Sequence, residues 1–279
     1  MTNITQVAPV GLLGFSGRRT RATETLEVAT VSRPVGRPSG GAGLAELLGV
    51  AAGLRLPAAA SRLARLPRGD GHVVIDIPGW KAPEVSGAPL RGLLRALGHD
   101  ARAWGLGVNT GRPEHDAEVL AETVRRTAAE QGPVSLVGWS LGGVIAREVA
   151  RAHPEAVRRV VTYGTPVIGG PSHTLGAGSF GAAECARITA LAEQLDREDP
   201  ILVPLTAIFT RRDGVVTWQA CIDHHSPDVE HVEVFSSHVG MALDPDVWEV
   251  VACRLAAPVV RFDSNDQPRG SATTQGCGA

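Results

Sequence analysis

Apolar and polar positions along the chain sort into short apolar runs separated by segments of helical spacing. Residues 72–77 read as a buried strand that ends at Pro78-Gly79-Trp80, and residues 101–106 as a second. The run Val134-Ser135-Leu136-Val137 leads into Gly138-Trp139-Ser140-Leu141-Gly142; residues 158–163, 202–209 and 232–235 complete the series. Between them, residues 89–97, 115–131, 144–150, 182–195 and 246–255 carry helical patterns, the first closed by Gly98 and the second by Gly132-Pro133. Strands that alternate with helices need crossover connections, so the pattern predicts an α/β fold with a mainly parallel sheet covered by helices on both faces. Ligands of such sheets collect beyond the carboxyl ends of the strands.

The flanks read differently. Leucines at 44, 47, 48, 54, 56, 63 and 66 suggest two short amphipathic helices broken near Gly53 and Pro57, an N-terminal helical extension packed on the core. Residues 1–43 form an expected irregular arm in which only 26–31 alternates like a strand, and the Gly-rich residues 263–279 an expected disordered tail. One domain over 44–262 is expected, with a small lid at about 167–200. Gly176-Ala177-Gly178-Ser179-Phe180-Gly181 matches Gly-x-Gly-x-x-Gly, but no strand precedes it, so it reads as a hinge rather than a dinucleotide site.

The chemistry centres on Gly138-Trp139-Ser140-Leu141-Gly142, which sits between an expected strand and an expected helix. Glycines two before and two after the serine let the two elements approach while the turn pushes the hydroxyl into the open. A serine hydroxyl needs a base to take its proton, and the base needs an acid to fix its tautomer. Asp213 lies on the turn after residues 202–209 and is the candidate acid, ahead of Asp196, Asp199 and Asp223. His238 follows the last expected strand and is the candidate base. His224, His225 and His231 precede that strand; they read as solvated loop residues, a metal cluster being the rival reading. An oxyanion needs aimed backbone donors, for which Leu141 N–H and Trp80 N–H are the candidates. Trp139 reads as core packing.

Taken in order, Pro78-Gly79-Trp80, Gly105-Leu106-Gly107, the serine elbow, Asp213-Gly214-Val215-Val216 and Ser237-His238 resemble the α/β-hydrolases of the lipase and esterase group, over about residues 70–257. Many of those lipases have His-Gly where this chain has Pro78-Gly79. The resemblance implies an α/β-hydrolase fold and a catalytic triad of Ser140, Asp213 and His238, with no metal or organic cofactor.

Composition narrows the partners. A formal net charge of −2 leaves no basic stripe for a phosphate backbone, so no nucleic acid is expected. Apolar residues make up 43% of the chain, enough for a substantial core, yet no window reaches the length of a transmembrane segment. No basic, apolar leader opens the sequence, so a cytoplasmic location is expected. Cys185, Cys221, Cys253 and Cys277 show no C-x-x-C; free thiols are expected, although the even count permits a Cys221–Cys253 disulfide. The expected function is cleavage of a small-molecule or lipid-like carboxylic ester through an acyl-enzyme. Two alternatives stay open: an acyltransferase, cyclase or thioesterase on the same triad, and a non-catalytic binding protein of this fold.

Overall fold

The computed structural model of the protein describes Glu46, residues 49–167, residue 190 and residues 193–259. The arm, the tail, the 26–31 run, the Gly-x-Gly-x-x-Gly hinge, most of the expected lid, Cys185 and Cys277 lie outside these residues. Within them, β1 (Val73–Ile77), β2 (Asp100–Ala103), β3 (Val134–Trp139), β4 (Val157–Tyr163), β5 (Leu205–Phe209) and β6 (Val229–Glu233) form one sheet in the order β2-β1-β3-β4-β5-β6. Every neighbouring pair is parallel. The helices are α1 (Leu56–Leu63), preceded by a 3-10 helix over Gly49–Arg55, then α2 (Ala88–Ala96), α3 (Pro113–Gln131), α4 (Leu141–Ala152) and α5 (Pro245–Ala256).

Alternation along the strands divides the core. Val74, Val137, Val161, Ile208 and Val232 pack with Leu63, Leu90, Leu94 and Leu255 from α1, α2 and α5. Their neighbours Val73, Ile75, Leu136, Val160 and Leu205 turn to the other face and meet Leu120, Val124, Ile145 and Val149 of α3 and α4. Each such side chain contributes about 1.5–3 kcal/mol on full burial, which is why continuous apolar runs make central strands here. The strand order reverses between β1 and β3. Their carboxyl ends are where this topology places ligands.

Several element boundaries differ from the sequence reading. The second strand stops at Ala103 instead of 106, because Gly105 turns at φ +81° and the Trp104 indole N–H bonds the Gly107 carbonyl at 3.0 Å. The fifth begins at Leu205 instead of 202; Pro204 has no N–H for a ladder, and Leu202 is exposed. The sixth covers Val229–Glu233 instead of 232–235, so His231 lies inside it while Phe235 stands exposed beyond it. Pro57 occupies the first turn of α1, where its missing N–H costs nothing, and starts that helix instead of breaking one. Cys221 and Cys253 are free thiols, not a disulfide.

Candidate active site

Ser140 sits between β3 and α4 at φ 52° and ψ −120°, one of two non-glycine residues at positive φ among those described. The sequence makes this turn with small residues. A Cβ on Gly138 would overlap Gly143, and one on Gly142 would overlap the Ile77 carbonyl oxygen. The strain is held from behind: Ser140 N–H donates to the Tyr163 carbonyl at 2.9 Å, and the Thr165 hydroxyl donates to the Ser140 carbonyl at 3.0 Å. An energetic cost of order 1–3 kcal/mol for such backbone persists only under this kind of constraint.

The loops after β5 and β6 bring their residues to the serine. His238 Nε2 lies 3.0 Å from Ser140 Oγ, and His238 Nδ1 lies 2.7 Å from Asp213 Oδ2. The other Asp213 oxygen accepts from Val215 N–H at 2.8 Å and Val216 N–H at 2.6 Å, an Asx turn that fixes the carboxylate. Asp213 and His238 are both buried. An ionised carboxylate on Nδ1–H leaves Nε2 free to take the serine proton. Of the rival acids, Asp196 and Asp223 pair with Arg147, on the α4 side of the molecule. His231 Nε2 accepts from Asp223 N–H at 2.9 Å, so its lone pair is engaged. The group of described residues able to hold a metal ion is a different one, Asp70, His72 and His99.

Pro78-Gly79-Trp80 lines the opposite side. A Cβ on Gly79 would stand 3.0 Å from the Trp139 ring and 3.4 Å from Ser140 Cβ, so glycine lets the loop lie against the elbow. Among the described residues no acceptor engages the Trp80 amide. Leu141 opens α4, where an N–H has no intrahelical acceptor and the helix dipole favours negative charge. Among the described residues neither candidate donor has a backbone acceptor.

Residues that the sequence reading missed complete the site. Buried Asn109 donates from Nδ2 to the Pro78 carbonyl at 2.8 Å, and its own carbonyl accepts from Lys81 N–H at 2.8 Å, which braces the Trp80 loop. Trp139 is more than core packing: its indole N–H donates to the His238 carbonyl at 3.3 Å. Glu46 is buried between the loops of Asp213 and His238. The signal for Asn109 was an asparagine between Gly107 and Gly111, since its side chain closes a local turn on Gly111 N–H; Glu46 carried none. Beneath the site, burial pushes the Cys221 thiol well up, with Asp213 adding to it, so this neighbour stays protonated.

Comparison with known proteins agrees with this fold. A model of the alpha/beta hydrolase fold matches residues 94–179. A pimeloyl-[acyl-carrier protein] methyl ester esterase of Aeromonas hydrophila subsp. hydrophila is 32% identical over 101 residues, 34% of this chain and 38% of that protein. The biotin biosynthesis bifunctional protein BioHC of Teredinibacter turnerae is 33% identical over 107 residues, 36% of this chain and 18% of that one. The matches thus span well under half of these curated relatives. A solved structure described with LipS and LipT, two metagenome-derived lipolytic enzymes, superposes with a TM-score of 0.53 at 18% identity, covering 67% of this chain and 93% of that one. No helix of the described residues is long and apolar enough to cross a membrane. With its six-stranded parallel sheet, its reversal of strand order between β1 and β3 and a serine turn at the carboxyl end of β3, the protein is an α/β-hydrolase in fold.

Proposed function

We propose that this protein is a serine hydrolase of carboxylic esters. The observation that carries the reading is the unbroken relay from Asp213 Oδ2 through both nitrogens of His238 to Ser140 Oγ, ending on a strained, partly exposed serine. Ser140 Oγ attacks the ester carbonyl carbon as His238 Nε2 takes the hydroxyl proton, and the carbonyl oxygen becomes an anion between the Trp80 and Leu141 amides. Collapse breaks the bond to the alcohol oxygen, which receives the proton from His238. Water then loses its proton to His238 and attacks the acyl-serine; the bond to Ser140 Oγ breaks, His238 returns the proton to that oxygen, and the acid leaves. Asp213 stays ionised and stabilises the imidazolium. No step calls for a metal or cofactor.

The substrate reading is an apolar acyl ester of a small alcohol. Trp80 and Phe235, 42% and 64% exposed, stand on the loops flanking the serine, each under a cation: Lys81 Nζ lies 4.4 Å from the Trp80 ring centre and Arg212 Cζ 3.5 Å from that of Phe235. The similarity to a methyl ester esterase points the same way. An intact relay also speaks against a binding protein that has lost turnover. The test pairs a fluorophosphonate probe with peptide mapping and a series of methyl and p-nitrophenyl esters of increasing acyl length. An adduct on Ser140 and turnover rising with chain length are expected; folded protein with neither adduct nor turnover would refute the reading.

A further inference from the structure

We propose that Glu46 is a positioning residue, an N-terminal carboxylate that locks the loop of the acid to the loop of the base; the inference rests on the ester-hydrolase reading above. The residue is 7% exposed, and its carboxylate accepts three backbone N–H bonds. Oε1 receives Gly214 N–H at 2.7 Å and His238 N–H at 3.0 Å, and Oε2 receives Val239 N–H at 2.8 Å. Gly214 follows Asp213, and His238 and Val239 are the base and its neighbour. One carboxylate, 168 residues from the first loop and 192 from the second, thus holds both ends of the Asp213–His238 hydrogen bond.

The chemistry selects a carboxylate. It is acceptor-only, with about four lone-pair sites, so it can serve three converging donors. A glutamine could keep the two bonds on its oxygen, but its NH2 would then face Val239 N–H, donor against donor. The chain from Gly49 onward keeps Glu46 in place. A Cβ on Gly49 would overlap Ser237 Oγ and stand 2.8 Å from Gly240 N, so the backbone there lies directly on the base's loop. Further along, Arg55 bonds both Asp244 oxygens at 3.1 Å and Asp246 at 2.6 Å, and Arg62 bonds Asp246 at 2.7 Å and also Glu249. These ties reach α5 and its cap but no triad residue. They supply an internal control for mere anchoring.

The experiment compares wild type, Glu46→Ala, Glu46→Gln and Arg62→Ala in the full chain, by thermal midpoint, by kcat and KM on a p-nitrophenyl ester, and by the rate of fluorophosphonate labelling at Ser140. Misplacing a catalytic group by an ångström costs about a hundredfold, so Glu46→Ala is expected to lose about that factor in kcat and labelling rate, with KM little changed. Glu46→Gln is expected to lose kcat in the same sense but less, and Arg62→Ala to lower the midpoint with kcat intact. If Glu46→Ala does not fold, the isosteric Glu46→Gln decides. Wild-type kcat in a folded Glu46 variant, or a loss no greater than that of Arg62→Ala, would overturn the proposal alone. A wild type that neither labels nor turns over ester overturns it together with the hydrolase reading.

Discussion

The described residues contain two Ser-His-Asp relays, one at each end of β3. At the carboxyl end Ser140, His238 and Asp213 connect through 3.0 and 2.7 Å. At the amino end Ser135 Oγ lies 2.9 Å from His72 Nε2, and His72 Nδ1 lies 2.5 Å from Asp70 Oδ1. By hydrogen-bond distance alone the second relay matches the first. It differs in everything around it. Ser135 is fully buried within the strand, paired with Val74 and, beside a register shift at Val134/Ser135, with Arg159, and is followed by no helix. Asp70 is exposed and shared with Arg158 at 2.8 Å, whereas Asp213 is buried and fixed by two amides. A proton relay is thus an ordinary way to satisfy a half-buried histidine. The features proposed to make a nucleophile are the strained turn, an opening for substrate and unengaged amides beside the hydroxyl.

The largest effect should separate the two serines. Removing the proposed nucleophile should cost about a millionfold in kcat, the scale seen when a triad serine is lost, and abolish probe labelling. Ser135→Ala should leave kcat intact while reducing stability by about 1–3 kcal/mol, because His72 Nε2 is left without a partner in the core. Rate assays beside urea melts check the pair, and a Ser135→Ala protein that folds but does not turn over would erase the distinction. Next come the two acids. Asp213→Asn should lower kcat by about ten thousandfold through the wrong histidine tautomer, whereas Asp70→Asn should not change it. Equal activity of the two variants would move the acid's role to another carboxylate.

A smaller effect tests the unengaged amides. Asn109→Ala removes the side-chain part of the brace, the bond to the Pro78 carbonyl, and should cost up to about a hundredfold in kcat, the value of a misaligned oxyanion donor. Product analysis of the residual activity should show the same acid and alcohol; an undiminished kcat would release the Trp80 amide from its proposed part.

The smallest effect is thermodynamic and belongs to the amino end. Burial pushes His99 down to about 4, and it also lowers His72, whose ring packs edge-on against it at 4.9 Å. Between the ordinary histidine value of about 6.5 and the folded value, the unfolded chain holds a proton that the native state lacks. Stability should therefore fall as pH drops through that window. Asp76, pushed up to about 6 by burial against the opposing pull of Arg91, works the other way, since its native form takes up a proton before the unfolded one does. His99→Phe should flatten the loss of melting temperature between about pH 7 and about pH 5 relative to wild type, with the pH profile of kcat/KM unmoved. An unchanged thermal profile would assign the acid sensitivity to other groups.

Much of this architecture could be read in one dimension. The apolar runs of β1, β3 and β4 and the glycines of the elbow are local features whose backbone consequences follow from sterics, and the order of Ser140, Asp213 and His238 relative to strand ends follows from chain connectivity. Boundaries were read less well where a single residue outweighs a run: Gly105 ends β2 early, and Pro204 denies β5 its first residues. Single roles were missed where the decisive contact is long-range. Trp139 looks like any core aromatic until its indole meets the His238 carbonyl, and Glu46 looks like one more surface acid in a leucine-rich segment.

What the chain determined by itself is where a strand can run, where the backbone must turn sharply, and which side chains stand at strand ends, because these depend on neighbours within a few residues. Tertiary structure alone decided which of two serines is partly exposed, which histidine nitrogen meets which oxygen, and which carboxylate is buried among backbone donors. Those depend on desolvation and on distances of about 3 Å between residues far apart in sequence, quantities that only the packed sheet and its loops define.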